Sequence, residues 1–296
     1  MVISGRVLYG PDREPLPGTW AVLHRVQKMR GASGPVDSAR TGPQGDYRLR
    51  IPRADTTGMY VVSSLYRGIA YFSEPVPMRG APSATLKPIF VYDTTSTGPP
   101  VLTQRRLVTV ALPDKDGTRA VLELLVLQNA GTMTRVAADT LRPTWWGLVP
   151  REAIQFEAGE GDISPQAVGL RDDTVAVFGP IPPNEYKQLT YSYVLPSTAQ
   201  RFTIPIGQTV GEIDILLEDT VATAHAPDIA TLGVQAIEQR RFVGFRTGSL
   251  QPGAAVSVTF APPPFSVQTL LPYLIALVAL ALVVGLVVAL RRQPSA

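Results

Sequence analysis

The chain has 296 residues, of which 45% are hydrophobic and 17% charged, and its formal net charge is +3. It contains no cysteine and two histidines, which excludes disulfides, thiolate metal sites and cysteine nucleophiles and leaves few ligands for a histidine-based metal or haem site. The 28 prolines and 25 glycines are spread along the chain, so frequent turns and an all-β fold are favoured over a helical bundle.

Residues 1–95 alternate short apolar runs with turns. Runs at 3–8, 20–26 and 46–51 show the period of two that marks half-buried strands, and segments rich in Gly and Pro separate them. Strands this short and regularly spaced predict a β-sandwich over residues 1–95.

Three short motifs in this region are Gly5-x-Val7, Pro17-Gly18-x-x-Ala21-Val22-Leu23 and Thr41-x-x-x-Gly45-x-Tyr47. Together they resemble the carboxypeptidase regulatory-like, transthyretin-like domain family. The resemblance implies a small sandwich with Gly at tight turns and apolar residues inward. It also implies an accessory binding or spacer module without catalytic residues, and it names no ligand.

Four basic residues bracket a Gly/Ser-rich loop in the same region, namely Arg25, Lys28, Arg30 and Arg40. Residues 1–95 hold 12 Lys/Arg against 7 Asp/Glu, so this part carries a net charge of +5. The four residues are candidates for gripping an acidic partner, and a solvated basic face without a partner is the alternative. Aromatic residues are not interleaved with them, so no nucleic acid partner is expected.

Beyond a linker near residues 94–100, further strands are predicted in two sets. The first includes 107–112, 120–127, 175–178 and 188–195, and the second 202–204, 212–217, 241–245 and 255–260. We predict a second β-sandwich over 101–197, and a third sandwich, or an extension of the second, over 198–262. Residues 226–239 are considered as a short helix, although Gly233 and a weak periodicity argue against one.

The adjacent pair Trp145 and Trp146 is the most prominent aromatic feature. Neighbouring residues in a strand face opposite sides, so one Trp can lie in the core while the other is exposed. An exposed Trp suits a protein interface, a sugar platform or a membrane-interface contact, and the alternative is that both rings pack inside.

Reactive motifs do not occur in the sequence. Glu157, Glu160 and Asp162 lie close together in a Gly-bearing loop that fits either a calcium site or a solvated loop, without the spacing of an EF-hand. No nucleophile elbow, P-loop, dinucleotide fingerprint or zinc-protease motif is present. We therefore predict a protein that is not an enzyme, with no catalytic residue, no metal site and no cofactor.

Residues 270–290 form an uncharged apolar run, which as a helix would be about 32 Å long and span a bilayer core. Arg291 and Arg292 follow it, so the positive-inside rule places the C-terminus in the cytoplasm and the body outside. We predict a single-pass inner-membrane protein with its bulk in the periplasm. Residues 1–5 lead straight into a strand, so either a signal peptide has been removed or the protein is tail-anchored with a cytoplasmic body.

Within the apolar run, Ala281, Gly285 and Ala289 recur every four residues. Such a stripe lets helix backbones approach closely, unless Ala is simply frequent in the segment. The expected partners are the lipid bilayer and other membrane protein subunits, which the chain would contact through this helix and its sandwich surfaces. We predict a structural or accessory subunit of a larger membrane complex, with respiratory and photosynthetic assemblies as settings. The alternative is a cell-envelope module that binds polysaccharide or peptide.

Overall fold

The computed structural model of the protein describes residues 1–27, 31–51, 58–77 and 83–261. Over these ranges the chain is all-β, as predicted, with one short 3-10 turn at Pro165–Ala167 and no α-helix. No helix within them is long and apolar enough to cross a membrane. The predicted anchor at 270–290 lies outside the described residues, and so do Lys28, Arg30, Ala281, Gly285, Ala289, Arg291 and Arg292.

Within the described residues the chain forms 25 strands. Those of the N-terminal part are β1 (Val2–Tyr9), β2 (Glu14–Pro15), β3 (Trp20–Gln27), β4 (Gly31–Arg40), β5 (Asp46–Arg50), β6 (Met59–Tyr66), β7 (Ile69–Phe72), β8 (Val76–Pro77), β9 (Ser83–Thr85), β10 (Ile89–Val91) and β11 (Thr94–Thr95). The others are β12 (Val101–Val110), β13 (Arg119–Asn129), β14 (Thr134–Arg135), β15 (Trp145–Leu148), β16 (Ile154–Ala158), β17 (Val168–Arg171), β18 (Thr174–Val177), β19 (Tyr186–Leu195), β20 (Arg201–Pro205), β21 (Val210–Leu217), β22 (Thr223–His225), β23 (Ala230–Ile237), β24 (Arg240–Thr247) and β25 (Ala255–Thr259).

The N-terminal part is a β-sandwich of two sheets. In one sheet the first half of β1 pairs with β5 and β9, and its second half pairs with β2 and β10. The other sheet has the order β4-β3-β6-β7, with β8 beside β6. Alternate residues of both sheets close one core, whose fully buried members include Ile3, Val7, Leu23, Leu49 and Val62.

The glycines and the tyrosine of the sequence motifs have packing roles in this sandwich. Gly5 lies directly opposite Tyr47, and a Cβ at residue 5 would collide with the tyrosine hydroxyl. Gly45 has a φ of 68°, and a side chain there would strike a backbone carbonyl of β1. The Thr41 hydroxyl donates to the Leu16 carbonyl at 2.6 Å, which ties the chain before β5 to the loop before β3. The motif spacing therefore reflects close backbone approaches rather than a ligand.

The second part is built on a seven-stranded sheet with the order β16-β19-β13-β12-β21-β24-β23. Its central strand β12 pairs antiparallel with β13 and parallel with β21, in a register that runs from Thr103↔Val210 to Val110↔Leu217. Strands from 101–197 and from 198–262 therefore share one sheet.

Two smaller sheets, β15-β18-β17 and β20-β25-β22, lie against the inner side of β12. The Arg106 guanidinium on β12 donates to the Leu148 carbonyl of β15 at 3.1 Å and to the Pro205 carbonyl of β20 at 3.2 Å. The Trp145 indole of β15 donates to the Thr103 hydroxyl of β12 at 3.2 Å. These contacts make the second part a β-sandwich with one broad sheet and a divided opposite layer.

The short helix considered for residues 226–239 is wrong, because 230–237 form strand β23. This strand pairs antiparallel with β24 at the edge of the broad sheet, with a bulge between Thr231 and Gly233. Gly233 has a φ of 76°, which lies in the left-handed region and interrupts a right-handed helix. All eight residues of β23 are exposed, so neither face of the strand is buried.

Candidate interaction surface

The tryptophan pair lies on β15, where the two rings face opposite sides. Trp145 is 4% exposed and belongs to the core, whereas Trp146 is 38% exposed. The Trp146 ring covers Gly207, since a Cβ at that glycine would lie 2.6 Å from it, and the Gln208 amide donates to the Trp146 carbonyl. The outer tryptophan thus attaches β15 to the 207–208 loop and leaves part of its ring accessible.

Two members of the predicted basic cluster, Arg25 and Arg40, are described by the structure, and they do not lie together. Arg40 lies opposite Trp20 in the β3–β4 hairpin, and Arg25 lies opposite Ser33. Five residues of extended chain separate these positions, which is about 17 Å. The segment predicted as a Gly/Ser-rich loop is instead the strand β4, whose pairing with β3 tolerates Pro35 through register shifts.

The largest exposed apolar side chains of the N-terminal sandwich share one surface. Trp20, Leu65 and Phe72 are 47%, 62% and 58% exposed. They lie on β3, β6 and β7, which are adjacent strands, and they point away from the core. We call this surface the Trp20 face and define it by Trp20, Val22, Leu65, Ala70 and Phe72.

Strand register explains why these residues meet. Ala21 pairs with Ser64 on the inner side, so the next residues outward, Trp20 and Leu65, are neighbours on the outer side. Val22 pairs with Ser63, and Ser63 pairs in turn with Phe72, so a second row runs parallel to the first. Phe72 is the diagonal neighbour of Leu65, so the patch extends across three strands with the Ser63 hydroxyl as one polar group inside it.

The polar side chains of the Trp20 face have defined partners. The Arg40 guanidinium lies 4.8 Å from the centre of the Trp20 ring, in a cation–π contact that fixes the ring on the sheet. Within the patch, the Ser63 hydroxyl lies between Val22 and Phe72 and forms a hydrogen bond of 2.8 Å with His24 Nε2. Apolar side chains beside a basic residue and a polar group that already has a partner are the layout of a protein-binding patch.

A concave surface, separate from the Trp20 face, lies on the small sheet of β15, β17 and β18. It is a groove of about 360 Å³, whose lining includes Leu141, Leu170, Phe178, Arg171 and Asp172. Leu141, Leu170 and Phe178 supply exposed apolar surface, while the arginine and the aspartate supply charge of both signs. The volume is within the usual range of small-ligand sites, although Trp146 does not line it.

A buried charge network lies inside the second sandwich. Glu123 is completely buried and accepts hydrogen bonds from Arg106 Nε at 2.6 Å and Nη2 at 3.0 Å. The hydroxyls of Tyr191 and Tyr193 donate to the same carboxylate at 3.0 Å and 2.8 Å. Four donors therefore surround one carboxylate, and these hydrogen bonds provide the compensation that a buried charge requires.

The electrostatics keep the tyrosine and arginine members of this network protonated. Burial raises the pKa of Tyr191 and of Tyr193 well above the usual value, and the Glu123 charge raises both further, so the hydroxyls remain donors. Burial opposes the charge of Arg106, but the Glu123 charge outweighs it and raises the arginine pKa. Because Arg106 also binds β15 and β20, the network fixes both small sheets to the broad one.

Of the three acidic residues named from the sequence, Glu157 and Glu160 are exposed, and Asp162 accepts a hydrogen bond from the Gln188 backbone N–H at 2.8 Å. On the outer side of the broad sheet, Asp214 is held between Arg105 and Arg246. Burial opposes ionisation of Asp214, but hydrogen bonds from the two arginines outweigh it and lower the carboxyl pKa. In the described part of the chain, no three His, Cys, Asp or Glu side chains are grouped as a metal site would need.

No protein family model matches the chain, and no curated protein matches its sequence. Solved structures that are similar include a Legionella pneumophila protein assigned to nutrient binding, with a TM-score of 0.30 and 8% identity over 56% of this chain and 70% of that chain. They also include an M1 zinc metallopeptidase from Deinococcus radiodurans, with a TM-score of 0.32 and 10% identity over 54% of this chain and 42% of that chain. These likenesses identify no family, so the resemblance to carboxypeptidase regulatory-like domains stays a prediction.

Proposed function

We propose that this protein is a non-catalytic accessory subunit of a larger membrane protein complex and that the Trp20 face binds another subunit. The proposal depends chiefly on one observation, the apolar patch that Trp20, Leu65 and Phe72 form across strands β3, β6 and β7. Large contiguous apolar patches on soluble surfaces mark binding sites, and aromatic side chains dominate the energy of protein interfaces.

Charge supports a protein partner with an acidic margin. Residues 1–95 carry a net charge of +5, and Arg40 stands at the border of the patch. A partner surface with an apolar centre and carboxylates around it would match both features. Complementary charges of this kind speed encounter and fix orientation more than they add affinity.

The apolar run at 270–290 supports a place in a membrane. Its length suits a bilayer core, and the Arg291–Arg292 pair would hold the C-terminus in the cytoplasm and the sandwiches in the periplasm. In this arrangement Ala281, Gly285 and Ala289 would contact helices of the complex. The Trp20 face would then bind an extracytoplasmic region of the same assembly.

The first test is the native size of the full-length protein extracted from its own membranes in mild detergent, with the co-migrating chains identified. A complex several times larger than 31.9 kDa with defined partners is expected. A chain that migrates alone or as a small homo-oligomer would refute the accessory role.

The second test places charges in the patch. Phe72→Glu and Leu65→Glu should reduce co-purification of the partner more than tenfold, since each would bury an unpaired carboxylate at the contact. Val221→Glu is the matched control, because Val221 is 70% exposed and lies outside the patch. Equal retention by all three variants would remove the Trp20 face from the proposal. Gly285→Leu separately tests the membrane contact and should weaken assembly.

A cell-envelope module that binds polysaccharide or peptide is the second candidate, and the groove lined by Leu170 and Phe178 favours it. Phe178→Ala should then abolish retention on a glycan or peptide panel, whereas Phe72→Glu should not affect it. Loss of complex assembly without loss of ligand retention would favour the accessory subunit instead.

A further inference from the structure

A pocket separate from both the Trp20 face and the groove at Leu170 and Phe178 lies where the two sandwiches join. Its volume is about 130 Å³, and its walls come from the 95–99 linker and from the 129–135 segment. Three threonines, Thr95, Thr97 and Thr132, contribute hydroxyl groups to the lining. Arg135 is the one charged residue among the residues that line it.

The Arg135 guanidinium lacks the partners that a buried cation needs. Its Nε and Nη1 atoms are buried, and neither has a hydrogen-bond partner in the described parts of the chain. By contrast, the buried Arg106 has a carboxylate and two carbonyls around it. Buried N–H groups without an acceptor are unfavourable, and Arg135 as a whole is half-buried at the pocket, so a group from outside the chain is expected beside it.

The backbone at Arg135 is fixed by a pair of hydrogen bonds with Ile181. Arg135 N–H donates to the Ile181 carbonyl at 3.0 Å, and Ile181 N–H donates back at 2.9 Å. The Asn129 amide donates to the Ile181 carbonyl at 2.9 Å and to the Met133 carbonyl at 2.8 Å, which holds the turn that forms one wall. The pocket is therefore built by a hydrogen-bonded frame and not by a loose loop.

The opposite wall leaves room beside the guanidinium. Gly98 has a φ of 117°, a conformation that side chains other than hydrogen rarely adopt, and a Cβ there would lie 3.6 Å from Arg135 Nη1. The space of about 130 Å³ is larger than one water molecule requires and admits either several waters or one small oxyanion.

We propose that this pocket binds a small oxyanion, a carboxylate or a phosphate group, through the Arg135 guanidinium and the neighbouring threonine hydroxyls. A planar guanidinium pairs with two oxygens of one such group at once through adjacent N–H groups, so an oxyanion on the Gly98 side would bind Nη1 together with Nη2. The oxyanion could be a free ion or the acidic group of a partner molecule, and both sources offer the same chemistry to Arg135.

The test is thermal unfolding of the full-length protein in mild detergent, followed by intrinsic fluorescence, in sodium phosphate, sodium acetate and sodium chloride at equal ionic strength. Phosphate or acetate should raise the Tm saturably above the chloride value, by about 5–10 °C at one hundred times the Kd. Arg135→Gln should lose this rise, and without ligand its Tm should not fall, because the variant removes an unpaired charge. Arg151→Gln should keep the rise, since that side chain is 90% exposed and lies elsewhere.

A second variant keeps the proposal testable if Arg135→Gln does not fold. Thr132→Glu places a carboxylate at the exposed rim of the pocket, and it should raise the ligand-free Tm and abolish the response to added anions. A rise with phosphate alone would identify a phosphate site, and a rise with acetate would identify a carboxylate site. No rise above chloride, or an equal rise in wild type and Arg135→Gln, would overturn the proposal.

Discussion

The substitution Glu123→Gln should destabilise the protein far more than its small change in shape suggests. It removes the charge that Arg106 faces inside the core, while the Arg106 guanidinium remains almost completely buried. The new amide would also turn N–H groups toward donors, because Arg106, Tyr191 and Tyr193 all donate to this position. Glu123 is completely buried, so bulk solvent does not reach this position to compensate.

The size of the effect follows from the burial of the pair. Removing one member of a buried ion pair costs about 3–5 kcal/mol, since the other charge stays without compensation. A protein of this size loses roughly 2–4 °C in Tm for each kcal/mol. We therefore expect the Tm of Glu123→Gln to fall by roughly 6–20 °C.

The measurements are thermal unfolding for the Tm and equilibrium urea unfolding for the free energy, both on the full-length chain in mild detergent with tryptophan fluorescence as the probe. Glu185→Gln is the matched control, because Glu185 is a half-exposed partner of Lys187 and should change stability by less than about 0.5 kcal/mol. In a double-mutant cycle, Arg106→Met with Glu123→Gln should be at least about 2 kcal/mol less destabilised than the sum of the single variants. Additive effects, or a loss below about 1 kcal/mol for Glu123→Gln, would refute the role given to the network.

Three further predictions concern single positions. Tyr47→Phe should stabilise the protein by about 1 kcal/mol in thermal unfolding, since it removes a buried hydroxyl that has no hydrogen-bond partner among the described residues, and a destabilised variant would contradict this. Gly45→Ala should cost about 2 kcal/mol or more in the same assay, because its φ of 68° and the adjacent β1 carbonyl exclude a side chain. Asp214→Asn should cost roughly 1–2 kcal/mol at pH 7. Because Arg105 and Arg246 lower the folded-state pKa of Asp214 against the opposing effect of burial, this difference should vanish as the pH falls from about 4 to 2, and an unchanged difference in urea titrations at low pH would contradict it.

Local patterns in the sequence were sufficient to predict the strands that have one buried face. In β1 and β5 the inward residues alternate with polar ones, so each strand is visible within six to eight letters of sequence. The opposite orientations of Trp145 and Trp146 follow from the same period of two. These features depend on neighbours in the chain and need no knowledge of tertiary contacts.

Features that depend on distant pairing could not be predicted. Strand β4 contains glycines and Pro35, which indicate a loop until β3 supplies its hydrogen bonds. The Trp20 face could not be predicted because β3 is apolar on both sides, with Ala21 and Leu23 inward and Trp20 and Val22 outward. Only the strand order shows which set meets Leu65 and Phe72. The unpaired guanidinium of Arg135 is likewise a property of the assembled junction and not of its sequence.

The parallel pairing of β12 with β21 sets the order in which the newly synthesised chain can fold. β12 ends at residue 110, and its second partner begins at residue 210. At about 5–20 residues per second, the ribosome needs roughly 5–20 s to make the intervening segment. The hairpin of β12 and β13 can form early, but during this interval the central strand of the finished sheet is an edge strand. Its bare hydrogen-bonding groups are then open to mispairing with another nascent copy, and the arrival of β21 closes that period.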